Sequence, residues 1–176
     1  AINGFFFIRS RFKSQIPAMI FSAISTIGGV VGLLGALQIG PLAKIIYKDS
    51  VSLRGEYWNA GLNMAKTHLF SGVGFDSYGD WYRLSRRESS LVRPGVETVS
   101  NTAHNVVIDI FAFGGLPLLV SYLAMIGIVS VSIIRYTLRN REFDFIFVSL
   151  VGAWLCFQLQ SLISINQIGL AVWGWV

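Results

Sequence analysis

Charged residues are absent from three long stretches, Ser14 to Ala43, Ile110 to Ile134 and Phe145 to Val176, and gather in the segments between them. A helix needs about 20 apolar residues to cross the hydrocarbon core of a bilayer, so each stretch is long enough to span it. The pattern predicts membrane helices over about residues 16–40, 106–134 and 145–164, a partial span from 168, and an outer loop over about 43–104. The fold class is therefore all-α: a polytopic transmembrane helix bundle with short helices in its long loop. Apolar residues open the chain at Phe5-Phe6-Phe7-Ile8 and close it from Leu170 to Val176. On this pattern residues 1–176 are expected to be a fragment of one larger membrane domain.

Each stretch has internal punctuation. Pro17 falls in the first turn of the first span and Pro41 past its end, where proline is tolerated. Gly28, Gly32, Ala36 and Gly40 recur every four residues, a spacing that predicts close packing against another helix. Gly114-Gly115-Leu116-Pro117 interrupts the second span near its outer end. Backbone groups freed there need protein or a wet cavity to satisfy them, which predicts a cavity near His104. Gln158, Gln160, Ser161, Asn166 and Gln167 fall at the same outer level and either line that cavity or bond between helices.

In the loop, Trp58, Leu62, Ala65 and Leu69 recur at helical spacing, predicting an amphipathic helix over 53–69 that begins beside Arg54 and lies along the membrane. Gly72-Val73-Gly74 breaks that helix, and Asp76 to Tyr82 reads as an irregular aromatic stretch. This Gly-x-Gly follows a helix and lacks a third glycine, so it is no dinucleotide fingerprint.

Composition strengthens the membrane reading: 53% of residues are hydrophobic and 13% charged, against roughly 25% charged in soluble domains. Arg9, Arg11 and Lys13 precede the first full span, and Arg135, Arg139 and Arg141 follow the second. The positive-inside rule assigns both clusters to the cytoplasm and the loop to the outside. The net charge of +5 then reports topology and anionic headgroups; without a continuous basic stripe it does not predict nucleic-acid binding. The single cysteine, Cys156, excludes an intramolecular disulfide. His68 and His104 lie far apart with no His or Cys at ligand spacing, so neither a metal nor a cofactor is expected. No Ser-His-Asp or Gly-x-Ser-x-Gly pattern is present.

The loop does carry the residues for anion and proton chemistry. Arg54 offers a planar fork suited to a phosphate or pyrophosphate, at what reads as the head of a helix whose free N–H groups also favour an anion. Arg83 and Arg87, with Arg86 and Arg93, are further candidates or solvated, headgroup-facing charges. His104 can take a proton from a hydroxyl, and Asn105 can orient a substrate or cap the helix that starts there. Asp109, one turn further on, can orient the imidazole or share its hydrogen-bonded network, and a carboxylate at membrane depth is costly enough to suggest function.

Arg54 with Trp58 four residues on, then Gly72-Val73-Gly74 and Tyr78, then His104-Asn105, then Gly114-Gly115 entering a span, resemble the O-antigen ligase and polymerase superfamily of bacterial membrane glycosyltransferases. The resemblance covers about residues 50 to 130. It implies a C-type glycosyltransferase-like fold in the bacterial cytoplasmic membrane, with the active loop extracytoplasmic. It implies transfer of a glycan from an undecaprenyl-pyrophosphate carrier to a hydroxyl of a glycan, lipid or protein acceptor, without a metal. Arg54 then corresponds to the arginine that binds the carrier's pyrophosphate and His104 to the histidine that acts on the acceptor, with Trp58 and Tyr78 on the substrate side. Leu69-Phe70-Ser71 stands where the family often has a proline before its Gly-x-Gly. The alternative reading of the chain is a transporter or flippase segment for a lipid-linked or anionic substrate.

Overall fold

The computed structural model describes residues 2–36, 49–140, 142–165 and 168–175. Their regular structure is all helical, with no strand among the described residues. The helices are α1 (Ile2–Arg11), α2 (Ile16–Ala36), α3 (Asp49–Thr67), α4 (Tyr78–Ser85), α5 (Val106–Arg139), α6 (Phe145–Ser161) and α7 (Ile168–Trp175), with a short π-turn at Leu91–Gly95. α2, over Ile16–Leu34, and α5 are long and apolar enough to cross a membrane. α6 is apolar but only 17 residues long, shorter than the about 20 a perpendicular span needs. The outer ends of the predicted first span and of the turn at Asn166-Gln167 lie outside the described residues.

The chain divides into two compact units. The first holds residues 1–48 and 130–156, hence α1, α2, the C-terminal part of α5 and most of α6. Gly4 brings α1 against α2: a Cβ there would sit 2.7 Å from the Phe21 ring. Phe6 and Tyr136 both meet the Phe147 ring, at 5.8 and 4.2 Å between centroids. Asp144 caps α6 by accepting from Ile146 N and Phe147 N at 2.9 and 3.1 Å. α2 turns Ile16, Met19, Ile20, Ile24 and Ile27 outward, the pattern of a helix solvated by lipid rather than water. Gly28 and Gly32 face open space, so among the described residues they make no close helix contact.

The second unit, residues 49–129 and 157–176, contains the loop. Its core is Ala60, Met64, Tyr78, Tyr82, Ala103 and Ala112, all fully buried. α3 begins four residues before Leu53 and buries Ala60, Gly61, Met64 and Ala65. Trp58 and Leu62 flank that stripe and Leu69 is exposed, so the buried face is rotated from the predicted one. The stretch from Asp76 to Tyr82 is not irregular: α4 occupies most of it, because Tyr78 and Tyr82 at i and i+4 drive one helical face into the core.

The interruption in α5 organises this unit. Gly115 adopts φ 62° and ψ −159°, and Pro117 has no N–H to offer. In an unbroken helix the carbonyls of Ala112 and Phe113 would accept from residues 116 and 117. Instead Ala112 O accepts from Val73 N at 2.8 Å, Phe113 O from Gly74 N at 3.0 Å, and Leu116 N donates to Leu69 O at 2.7 Å. The groups freed by the kink are thus satisfied by the backbone of Leu69, Val73 and Gly74. At the kink itself, protein backbone meets the groups that either protein or a wet cavity had to satisfy.

Candidate functional site

The same loop unit positions Arg54 and His104. Arg54 is the sixth residue of α3, too far from its first turn for the helix's free N–H groups to share an anion with it. It lies three residues before Tyr57, which places the two on neighbouring positions of one face. The Tyr57 and His104 rings lie 5.6 Å apart and tilted by 34°. Burial first, and then the positive charge of Arg54, hold the His104 imidazole below its ordinary value. Guanidinium and imidazole therefore share one electrostatic environment, and the ring is neutral at neutral pH, ready to accept a proton.

His104 is set by an unusual backbone. Its φ is 56°, in the left-handed region where non-glycine residues are uncommon and histidine is enriched. Hydrogen bonds over-determine the turn. His104 N donates to Thr102 Oγ1 at 2.7 Å, and Ser100 Oγ donates to Thr102 O at 2.7 Å. Asp109 completes the lock, its Oδ1 accepting from Ala103 N at 2.6 Å and its Oδ2 from Thr102 Oγ1 at 3.0 Å. The carboxylate therefore holds the peptide backbone that presents the ring, and its two oxygens are both engaged there. Strain of this kind persists only where the surroundings fix it, and it collects at functional sites.

Asn105 is buried and used at both ends. Its Oδ1 caps α5 by accepting from Ile108 N at 3.2 Å, and its Nδ2 donates to Leu162 O at 2.9 Å. Of its two predicted roles, the structure assigns the cap. Tyr78 is fully buried and donates from its hydroxyl to Tyr57 O at 2.5 Å, so it supports the helix face beneath His104 and offers no surface to a ligand. Trp58 packs partly buried against the core, with its indole N–H enclosed. Arg83 and Arg87 are exposed on and just beyond α4. Arg86 clamps the following loop, donating from Nη1 to Val96 O at 3.2 Å and Thr98 O at 3.3 Å. His68 packs edge-on against Trp81, 4.6 Å between centroids.

Three contributors escaped the sequence reading: Tyr57, Tyr82 and Thr102. Tyr57 stands between Tyr82, 5.9 Å away, and His104, while Tyr82 stacks on Tyr78 at 6.4 Å. Burial is the main cause that raises both Tyr78 and Tyr82 above the ordinary phenol value, so these two hydroxyls keep their protons. The available signals were spacing alone: Tyr57 three residues after Arg54, and Thr102 two before His104. Among the described residues no three His, Cys, Asp or Glu side chains converge as metal ligands.

The described residues have helices as their only regular structure, two of them apolar and of membrane length, and a connecting segment folded around a buried aromatic core that holds an arginine and a histidine in electrostatic contact. These features define a helical membrane protein with a structured loop. The family model for O-antigen ligase matches residues 2–123, and the chain belongs to that family. It is accordingly a membrane protein of a family whose chemistry is ligase-type glycan transfer. Neither a curated protein nor a solved structure matches it significantly.

Proposed function

We propose that the loop unit transfers a glycan from an undecaprenyl-pyrophosphate carrier to an acceptor hydroxyl at the outer face of the bacterial cytoplasmic membrane. The observation that carries the reading is the placement of Arg54 three residues before Tyr57 on α3, with the Tyr57 ring 5.6 Å from that of His104, an arrangement in which the Arg54 charge adds to burial in lowering the imidazole's pKa. In this mechanism the anomeric C–O bond to pyrophosphate breaks as the acceptor oxygen attacks. Negative charge develops on the leaving diphosphate, and a preplaced guanidinium stabilises it more in the transition state than in the ground state. His104, neutral and fixed by the Thr102–Asp109 turn, takes the acceptor proton. Arg83 and Arg87, being exposed, supply a second ring of positive charge for the polyanionic donor or the headgroups around it. Asn105 and Asp109 act through the backbone that carries the ring.

The decisive experiment supplies full-length protein in proteoliposomes with lipid-linked glycan and acceptor. Transferred product together with released carrier pyrophosphate supports the proposal. Movement of intact lipid-linked glycan across the bilayer, with no bond cleaved, would instead support a flippase.

A further inference from the structure

The kink at Gly115 divides α5 into two legs with different surroundings. Before it, Val106, Asp109 and Ala112 are buried within the loop unit. Beyond it, Val120, Leu123, Met125, Ile128, Val131 and Ile134 all stand exposed, the surface of a helix solvated by lipid. This second leg carries no charge between Gly115 and Arg135. It is about 20 residues long, and at a rise of about 1.5 Å per residue it covers about 30 Å, the thickness of the hydrocarbon core. With Arg135 at one face of the bilayer, Gly115 lies at the other.

Residues 69–75 are tied to α5 at that level. Leu69 O accepts from Leu116 N, and Val73 N and Gly74 N donate to the carbonyls of Ala112 and Phe113, so the segment stays within hydrogen-bond reach of the membrane boundary. In it Phe70 and Phe75 are each 74% exposed, whereas Tyr78 and Tyr82, the aromatic residues that follow with a hydroxyl to offer water, are fully buried. The Phe113 ring, 6.1 Å from that of Phe75, holds one of the pair in place. Two outward phenylalanines are out of place in water and suited to the boundary where acyl chains meet headgroups. We propose that residues 69–75 form an interfacial anchor, with Phe70 and Phe75 seated among phospholipids at the acyl–headgroup boundary of the leaflet opposite Arg135, which is the outer leaflet by the positive-inside rule. The anchor fixes the height of the loop unit, and with it of Arg54 and His104, above the bilayer. It stands whether or not the loop transfers a glycan.

The test uses full-length protein in phosphatidylethanolamine–phosphatidylglycerol vesicles, with every cysteine, Cys156 included, replaced by serine. Single cysteines introduced as Phe70→Cys, Phe75→Cys and, for comparison at an exposed charged position of the loop, Glu88→Cys carry a small fluorophore. Phospholipids spin-labelled near the headgroup quench it from the membrane, and iodide quenches it from water. The ratio of lipid to iodide quenching is expected to be several-fold higher at 70 and 75 than at 88. A ratio no higher than at 88 would overturn the proposal by placing the segment in water, and protection from both quenchers would overturn it by placing another helix or a second copy against the two rings. Unlabelled variants provide an independent measurement. Phe70→Trp is expected to melt with wild type in vesicles, since an indole suits the same boundary, while Phe70→Asp melts lower. In water the two variants would melt alike, and against a packed helix the larger indole would itself lower the melting temperature; either result would overturn the proposal. Should the labelled variants fail to fold, this pair remains decisive.

Discussion

Gly72 and Gly115 hold two distant chain segments in backbone contact. A Cβ on Gly72 would lie 2.3 Å from the Phe113 carbonyl, and one on Gly115 would lie 2.5 Å from Leu69 O. Both residues also adopt positive φ, 64° and 62°. The Gly-x-Gly of the loop and the Gly-Gly of the span are therefore two halves of one joint, through which the loop satisfies the carbonyls exposed by the kink in α5. Either glycine replaced by alanine meets both a strained backbone conformation and a collision. For Gly115, whose φ/ψ pair is essentially reserved to glycine, the backbone cost alone is about 1–3 kcal/mol. Gly72→Ala and Gly115→Ala should each lower the melting temperature of the full-length protein, and the double variant should lose less than the sum, because one joint is broken twice. Additive losses would show that the two glycines act independently.

In the proposed mechanism Arg54 has two separable roles, a fork for the diphosphate and a charge that depresses His104. Arg54→Lys keeps the charge but not the bidentate geometry. It is expected to reduce kcat/KM roughly 10- to 150-fold, the loss of a hydrogen bond between charged groups, with the acid limb of the pH–rate profile little moved. Arg54→Gln removes the charge as well. With its repulsive partner gone, the imidazole protonates more readily, so its pKa rises toward the ordinary value and the acid limb shifts to higher pH. A Gln variant whose acid limb stays in place would separate the two residues.

In the proposed mechanism His104 has a ring role beside its backbone role. Removing a positioned base costs about 10²- to 10⁴-fold in rate, and His104→Ala should fall in that range. Alanine is also a poor fit to φ 56°, so a stability loss would confuse the result. Asparagine adopts the left-handed region readily. His104→Asn should therefore melt close to wild type while losing the same activity as the alanine variant. Full activity in His104→Asn would remove the imidazole from the chemistry.

Much of this arrangement was legible in the chain. α2 and α5 announce themselves because a span must exclude charge, and Arg54 and His104 stand out because few other loop residues combine their chemistries. What escaped was non-local. α3 starts at Asp49 through a polar, serine-containing turn that carries little helical signal. Gly79 and the flanking aspartates disguise α4 as a loop, although the Tyr78–Tyr82 spacing reports its buried face. The backbone exchange between the loop and the α5 kink involves N–H and C=O groups that every residue possesses, so no side-chain pattern reveals it. A kink in a span requires partners, but only the fold says whether they are water or protein.

Asp109 separates a positioning residue from a substrate ligand. Its carboxylate accepts from Ala103 N and from Thr102 Oγ1, and Thr102 Oγ1 in turn accepts from His104 N. Asp109→Ala leaves the buried Ala103 N–H without its acceptor, a loss of about 1–3 kcal/mol, and frees the turn that strains His104. Both the melting temperature and kcat should fall. Because the carboxylate holds backbone rather than ring, the acid limb set by His104 should not follow the loss of activity. Asp109→Asn retains one carbonyl oxygen for Ala103 N, while its amide group can donate to the Thr102 hydroxyl. It should therefore keep most of the stability and activity lost in the alanine variant. If Asp109 instead gripped a substrate through its charge, asparagine would be as damaging as alanine and the melting temperatures of both would stay near wild type.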